Sequence, residues 1–208
     1  MIKAVIFDMD GVLIDAREWH YDALNRALRL FGQEINRTEH LLTFDGLPTR
    51  RKLEILSSTR SFPHNLHSFV NQLKQQYTME IVYARCKPAF AREFALSQLK
   101  ARGFKLAVAS NSVRESVEAM MTRSNLMPYL DLVLSNEDVA RPKPDPEIYL
   151  AAMRGLGVTP EETLVVEDND HGIRAARASG AHVMIVRGVD EVDIGAIDRA
   201  LASHGASL

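Results

Sequence analysis

The chain has 208 residues, with 25 Lys and Arg against 27 Asp and Glu, a formal net charge of −2. That balance makes no electrostatic case for nucleic acid or an anionic membrane, and the apolar runs are too short to span a bilayer. A single cysteine, Cys86, excludes an internal disulfide framework and fits a reducing compartment. With no signal peptide ahead of the first strand, the expectation is a cytoplasmic protein, one large domain or a domain with an inserted subdomain.

Ala4-Val5-Ile6-Phe7 is a short β-branched and aromatic run stopped by Asp8, Asp10 and Gly11. It reads as a buried strand ending in a turn, apolar on both faces as in a parallel sheet covered by helices. In open α/β sheets the ligand crevice lies beyond the carboxyl ends of the strands, where Asp8 and Asp10 fall. Two carboxylates separated by one residue can share a side there. Their mutual repulsion calls for a cation, and oxygen ligands suit a hard ion such as Mg2+. Read alone, both could instead serve turn amides.

After Asp15 the period changes. Trp19, Ala23, Leu24, Ala27, Leu28 and Phe31 recur at helical spacing, and Gly32 is placed to end that helix. Pro48-Thr49 opens a second helix with Leu53 and Leu56. Ser61-Phe62-Pro63 breaks it, and a third helix carries Leu66, Phe69, Val70, Leu73 and Tyr77. His64 and His67 on that helix read as a solvated face. From Pro88 the chain alternates helix and strand. A helix with Ala91, Phe94, Ala95 and Leu99 precedes strand Leu106–Ala109, and one with Val117, Met120 and Met121 precedes strand Leu132–Leu134. A proline-rich loop around Lys143 leads to a helix with Ile148, Ala152 and Leu156. Strand Thr163–Val166, a helix from Gly172 to Ser179, strand His182–Val186 and a final helix with Ile194, Ile197 and Leu201 complete the pattern. This alternation predicts βαβ units. The fold expected is α/β: a parallel, Rossmann-like core of five or more strands over residues 1–15 and 87–208, interrupted by an all-α cap over 16–86. Hinges are expected near Asp15 and Lys87.

Four strand ends carry chemistry: Asp8-Met9-Asp10-Gly11, Ser110-Asn111-Ser112, Lys143, and Glu167-Asp168-Asn169-Asp170. Each has a bland reading. Ser110 could cap the next helix, Lys143 could be a solvated loop cation, and Glu167 and Asp168 could serve helix amides. Their order nonetheless resembles the successive motifs of the haloacid dehalogenase (HAD) superfamily, over nearly the whole chain. The helical insertion after the first motif is similar to the subgroup holding phosphoglycolate phosphatase-like and β-phosphoglucomutase-like enzymes.

That resemblance implies a Mg2+-dependent phosphatase of a small phosphorylated metabolite, a sugar phosphate by expectation, as a monomer or weak homodimer. Asp8 would be the nucleophile. Asp10 would be the acid, then the base, its carbonyl also a metal ligand. Ser110 and Lys143 would grip phosphoryl oxygens, helped by the amides of Met9 and Asn111. Asp8, Asp10 and Asp168 would hold the metal, with Glu167 acting through a bound water. Asn169 departs from the family pattern, standing where Ser is common. Gly46, Thr49, Arg50 and Arg51 resemble the loop that the subgroup presents to the leaving group, where either arginine could bind an anion or sugar hydroxyls. His20 stands where relatives often carry histidine near the hinge.

The nearest alternative is a sugar-phosphate mutase of the β-phosphoglucomutase type. Against it, Ala16 follows Asp15 where Thr is expected, and Lys74 stands one position out of step with an expected basic pair. A dehalogenase has no use for Asp10 or the metal carboxylates. A phospho-accepting receiver would need no cap and would carry its Asp on a later strand.

Overall fold

The computed structural model describes residues 1–204. Contacts divide the chain into two compact units, Ala16–Arg85 and the pair Met1–Asp15 with Cys86–Leu208. The boundary falls one residue before the position expected. Cys86 belongs to the α/β unit, where its thiol is buried 3.6 Å from the Met120 carbonyl.

Strand β1 (Ala4–Phe7) is buried along its whole length, which requires cover over both faces of its sheet. The helical unit follows. Helix α1 (Arg17–Arg29) buries Ala23, Leu24, Ala27 and Leu28 and is followed by Gly32 at φ +67, a left-handed turn that favours glycine. A short turn α2 (Arg37–Glu39) runs into a π-helical turn, His40–Phe44; helices α3 (Thr49–Arg60) and α4 (His67–Arg85) complete the unit. Leu24, Leu28, Phe44, Leu53, Leu56 and Val70 share its core. Buried Asn25 ties the loop to α1. Its amide donates to the Ile35 carbonyl (2.9 Å) and its carbonyl accepts from the Ile35 amide (2.8 Å).

The α/β unit continues with α5 (Phe90–Ala101), β2 (Lys105–Ala109), α6 (Arg114–Arg123), β3 (Leu132–Leu134), α7 (Glu147–Leu156), β4 (Thr163–Glu167), α8 (Asp170–Ala178), β5 (His182–Ile185) and α9 (Ile194–Ser203). The five strands are parallel in the order β3-β2-β1-β4-β5, so the first strand is central. Phe7 pairs with Val108 on one side and Val166 on the other. One residue further, the same register sets Asp8 level with Ala109 and Glu167. Two strands therefore deliver acids at one height, and the third places Ser110 one residue further.

Some expectations change, and Phe69 and Ala91, both read as inward, are exposed. Phe94 is not inward: α5 buries Ala95, Leu96 and Leu99, while Phe94 stacks on Phe90 in solvent, ring centroids 5.5 Å apart. His67 is not simply solvated: its Nε2 lies 2.7 Å from the Ser57 hydroxyl and its ring stacks on Phe62. No helix among the described residues is long and apolar enough to cross a membrane.

His40 lies buried in the helical unit, 3.6 Å from Asp45 and against the Tyr21 ring, and its Nδ1 has no hydrogen-bond partner. Burial first, then the Lys52 ammonium, lowers its pKa from 6.5 to about 4. The unfolded chain therefore binds a proton there that the folded one refuses. Stability is full above the unfolded value and falls as pH drops from 6.5 towards about 4. Relative to wild type, His40→Phe should flatten the pH dependence of urea unfolding across that window. An unchanged slope would contradict the neutral buried imidazole.

Candidate active site

At the tip of β1 the chain turns sharply. The Asp8 amide extends the pairing to the Val166 carbonyl (3.0 Å), and the amides of Leu13 and Ile14 return to the Met9 carbonyl (3.0 and 2.9 Å). Gly11, at φ +88, sits at the bend, where a side chain would be strained. This turn holds Asp8 buried and Asp10 half-buried. The Ser112 hydroxyl donates to Asp10 Oδ2 (2.9 Å), fixing the plane of that carboxyl.

Beyond β2, the buried Ser110 hydroxyl oxygen accepts from the Ser112 amide (3.0 Å), so the residue shapes its own loop. Asn111 reaches across to the Lys143 backbone: its carbonyl accepts from the Lys143 amide (3.0 Å) and its amide donates to the Lys143 carbonyl (3.3 Å). Lys143 is consequently no solvated loop cation. Its ammonium, only 4% exposed, donates to Asp8 Oδ1 (2.6 Å), Glu167 Oε1 (2.7 Å) and the Ala109 carbonyl (2.8 Å). All three donors of the ammonium are used.

Glu167 is equally committed. Oε1 also accepts from the Tyr149 hydroxyl (2.6 Å), while Oε2 accepts from the amides of Asp168 (3.0 Å) and Asn169 (3.3 Å). Asn169 caps α8, accepting from the His171 amide (2.9 Å). The residue that departs from the family pattern thus does ordinary helix-capping work.

The electrostatics follow. Burial first, opposed by Lys143 and aided by Glu167 and Asp10, raises the Asp8 pKa from 3.8 to about 7. Burial lowers the Lys143 pKa, but Asp8 and Glu167 more than offset it and leave the ammonium above its usual range. One carboxylate oxygen each from Asp8, Glu167 and Asp168 lie within 4.8 Å of one another. These acids and Asp10, with Lys143 as counter-charge, leave local negative charge uncompensated. An all-oxygen donor set with that excess suits a hard divalent cation such as Mg2+.

The strand ends thus bring together Asp8, Asp10, Ser110, Asn111, Lys143, Glu167 and Asp168. In the helical unit, Gly46 adopts φ +69 and Thr49 opens α3. Arg50 and Arg51 project from α3 with side chains 90% and 63% exposed, and both pair with Glu54. His20 Nδ1 lies 3.1 Å from Lys74 Nζ. The neighbouring Lys52 is buried, which the helical spacing of Lys52 with Leu53 and Leu56 could have signalled. Tyr149 escaped sequence reading, and Gly172 was read as a helix start without its packing against Glu167. A Cβ on Gly172 would stand 1.7 Å from Glu167 Oε1. Tyr149 looked like one more apolar position of α7.

Removing Lys143 strands two buried carboxylates. Lys143→Ala in chelator should lower urea-unfolding stability by about 3 kcal/mol, in the range for breaking a buried pair. A loss below about 1 kcal/mol, the scale of an exposed pair, would contradict the buried charge arrangement.

The sequence model of the haloacid dehalogenase-like hydrolase family matches residues 5–186. A phosphorylated carbohydrates phosphatase of Thermotoga maritima is 32% identical over 182 residues, 86% of this chain and 82% of that protein. The crystal structure of CbbY from Rhodobacter sphaeroides in complex with phosphate superposes with a TM-score of 0.81 at 26% identity, covering 90% of this chain and 87% of the other. A putative β-phosphoglucomutase from Thermotoga maritima gives 0.69 at 28% identity, over 99% and 92% of the two chains.

Proposed function

We propose a function from one premise: the chain belongs to the haloacid dehalogenase-like hydrolase family. It is a Mg2+-dependent phosphatase that hydrolyses a small phosphorylated metabolite, a sugar phosphate, through an aspartyl phosphate. The observation that carries this reading is the Lys143 ammonium held between Asp8 and Glu167 at adjoining strand ends, beside Asp168. The likeness to a phosphatase of phosphorylated carbohydrates supports the choice of substrate class.

Phosphoryl transfer requires in-line positioning and neutralised charge more than covalent ingenuity. An Asp8 oxygen attacks phosphorus as the bond to the leaving oxygen breaks, and Asp10 gives that oxygen its proton. Asp10 then takes a proton from water as the water oxygen bonds phosphorus and the bond to Asp8 breaks. Division into two displacements replaces one difficult step. Ser112 orients the Asp10 carboxyl for both transfers. Ser110 and the amides of Met9 and Asn111 hold the phosphoryl oxygens, and Lys143 joins them by turning one N–H from Asp8 to the phosphoryl group. Asp8, the Asp10 carbonyl and Asp168 would hold Mg2+, with Glu167 acting through a bound water and fixing the Asp168 loop by its amide. The bound ion supplies charge neutralisation at the phosphoryl group. Gly46, Thr49, Arg50, Arg51 and His20 are assigned to recognition of the leaving group.

A second reading, a sugar-phosphate mutase, is favoured by one observation. Lys74 had counted against it by position, yet its ammonium meets His20. Ala16 after Asp15 still favours hydrolysis.

With Mg2+ and a panel of sugar phosphates, steady release of inorganic phosphate without isomer is expected, lost in chelator and restored by Mg2+. Isomer forming faster than free phosphate would replace the phosphatase with the mutase. Asp8→Asn should keep less than about a tenth of the activity, because an amide of the same shape is a poor nucleophile. Greater retention would remove Asp8 from that role.

A further inference from the structure

Tyr149 is wholly buried on α7, and burial, reinforced by Glu167 and Asp8, raises its phenol well above the ordinary range. A hydroxyl in such a place is costly unless paired, and Phe would fill the same space without the cost. The pair it makes is specific. The hydroxyl donates to Glu167 Oε1 at 2.6 Å, and the ring lies 4.8 Å from the ammonium of Lys143, which donates to the same oxygen. The other Glu167 oxygen holds the amides of Asp168 and Asn169. Gly172 packs so close to the carboxylate that a Cβ would overlap Oε1 at 1.7 Å. Glu167 is therefore clamped from Tyr149 and from Gly172, and its four acceptor contacts reach Lys143 and the Asp168 loop at once.

We propose that Tyr149 is a positioning residue of the phosphoryl-transfer site, its hydroxyl orienting Glu167 so that Lys143 stays on Asp8 and the Asp168 loop keeps its place. The proposal rests on the functional reading above. Without the hydroxyl, Oε1 is left to the Lys143 ammonium that it already shares. The carboxylate then draws the ammonium away from Asp8 or turns and shifts the Asp168 amide.

The test is a double-mutant cycle of Tyr149→Phe and Glu167→Gln, read in Mg2+ affinity by calorimetry and in kcat and KM on p-nitrophenyl phosphate. Tyr149→Phe alone should weaken Mg2+ binding and lower kcat by about tenfold, the lower end for groups that orient metal ligands, with KM nearly unchanged. In the Glu167→Gln background the same change should alter Mg2+ affinity less than about twofold, since coupled residues are not additive. An equal factor in both backgrounds, or no change in Mg2+ affinity in the wild-type background, overturns the proposal. Wild-type protein that neither binds Mg2+ nor releases phosphate overturns the functional reading first, and the proposal with it.

Discussion

One buried ammonium organises the α/β unit's site. Lys143 stands among Asp8, Glu167 and the Ala109 carbonyl, at the ends of three central strands. Burying a charge is expensive unless it is paired and every donor is used, and here each N–H has an acceptor. The surrounding structure serves that requirement. Asn111 grips the Lys143 backbone from the β2 side, while Tyr149 and two loop amides saturate Glu167. Asp8, the group proposed to attack phosphorus, keeps a raised pKa even with the Lys143 ammonium beside it, because burial outweighs that pairing.

Much of this was legible in the sequence because strand-end chemistry is local. An apolar strand gives way to polar residues at its carboxyl end, and Asp8, Ser110 and Glu167 each stand at or just past such an end. The alternation of apolar strands and helices gave the parallel core, and the loss of strand signals after Asp15 gave the helical unit. The central place of β1 was not written in any local pattern, since strand order comes from how the helices cross the sheet.

What stayed hidden depended on partners distant in sequence. Tyr149 has the spacing of a core residue, and only the fold reveals an acid at its hydroxyl. Lys74 looked displaced by one position, yet in the helical unit its ammonium reaches His20. Arg50 and Arg51 advertised themselves by charge, but their helix face turns them to solvent and Glu54, while Lys52 beside them is buried. Phe94 carried the right hydrophobicity for the core and the wrong phase on α5.

The central claim is that Asp8 carries the phosphoryl group. Borohydride reduces an acyl phosphate to an alcohol, so quenching steady-state turnover with it and sequencing the peptides by mass spectrometry reads the attachment point directly. The account predicts homoserine at position 8, dependent on both substrate and Mg2+. Phosphate release without any reduced side chain, or reduction at a different carboxylate, would contradict it.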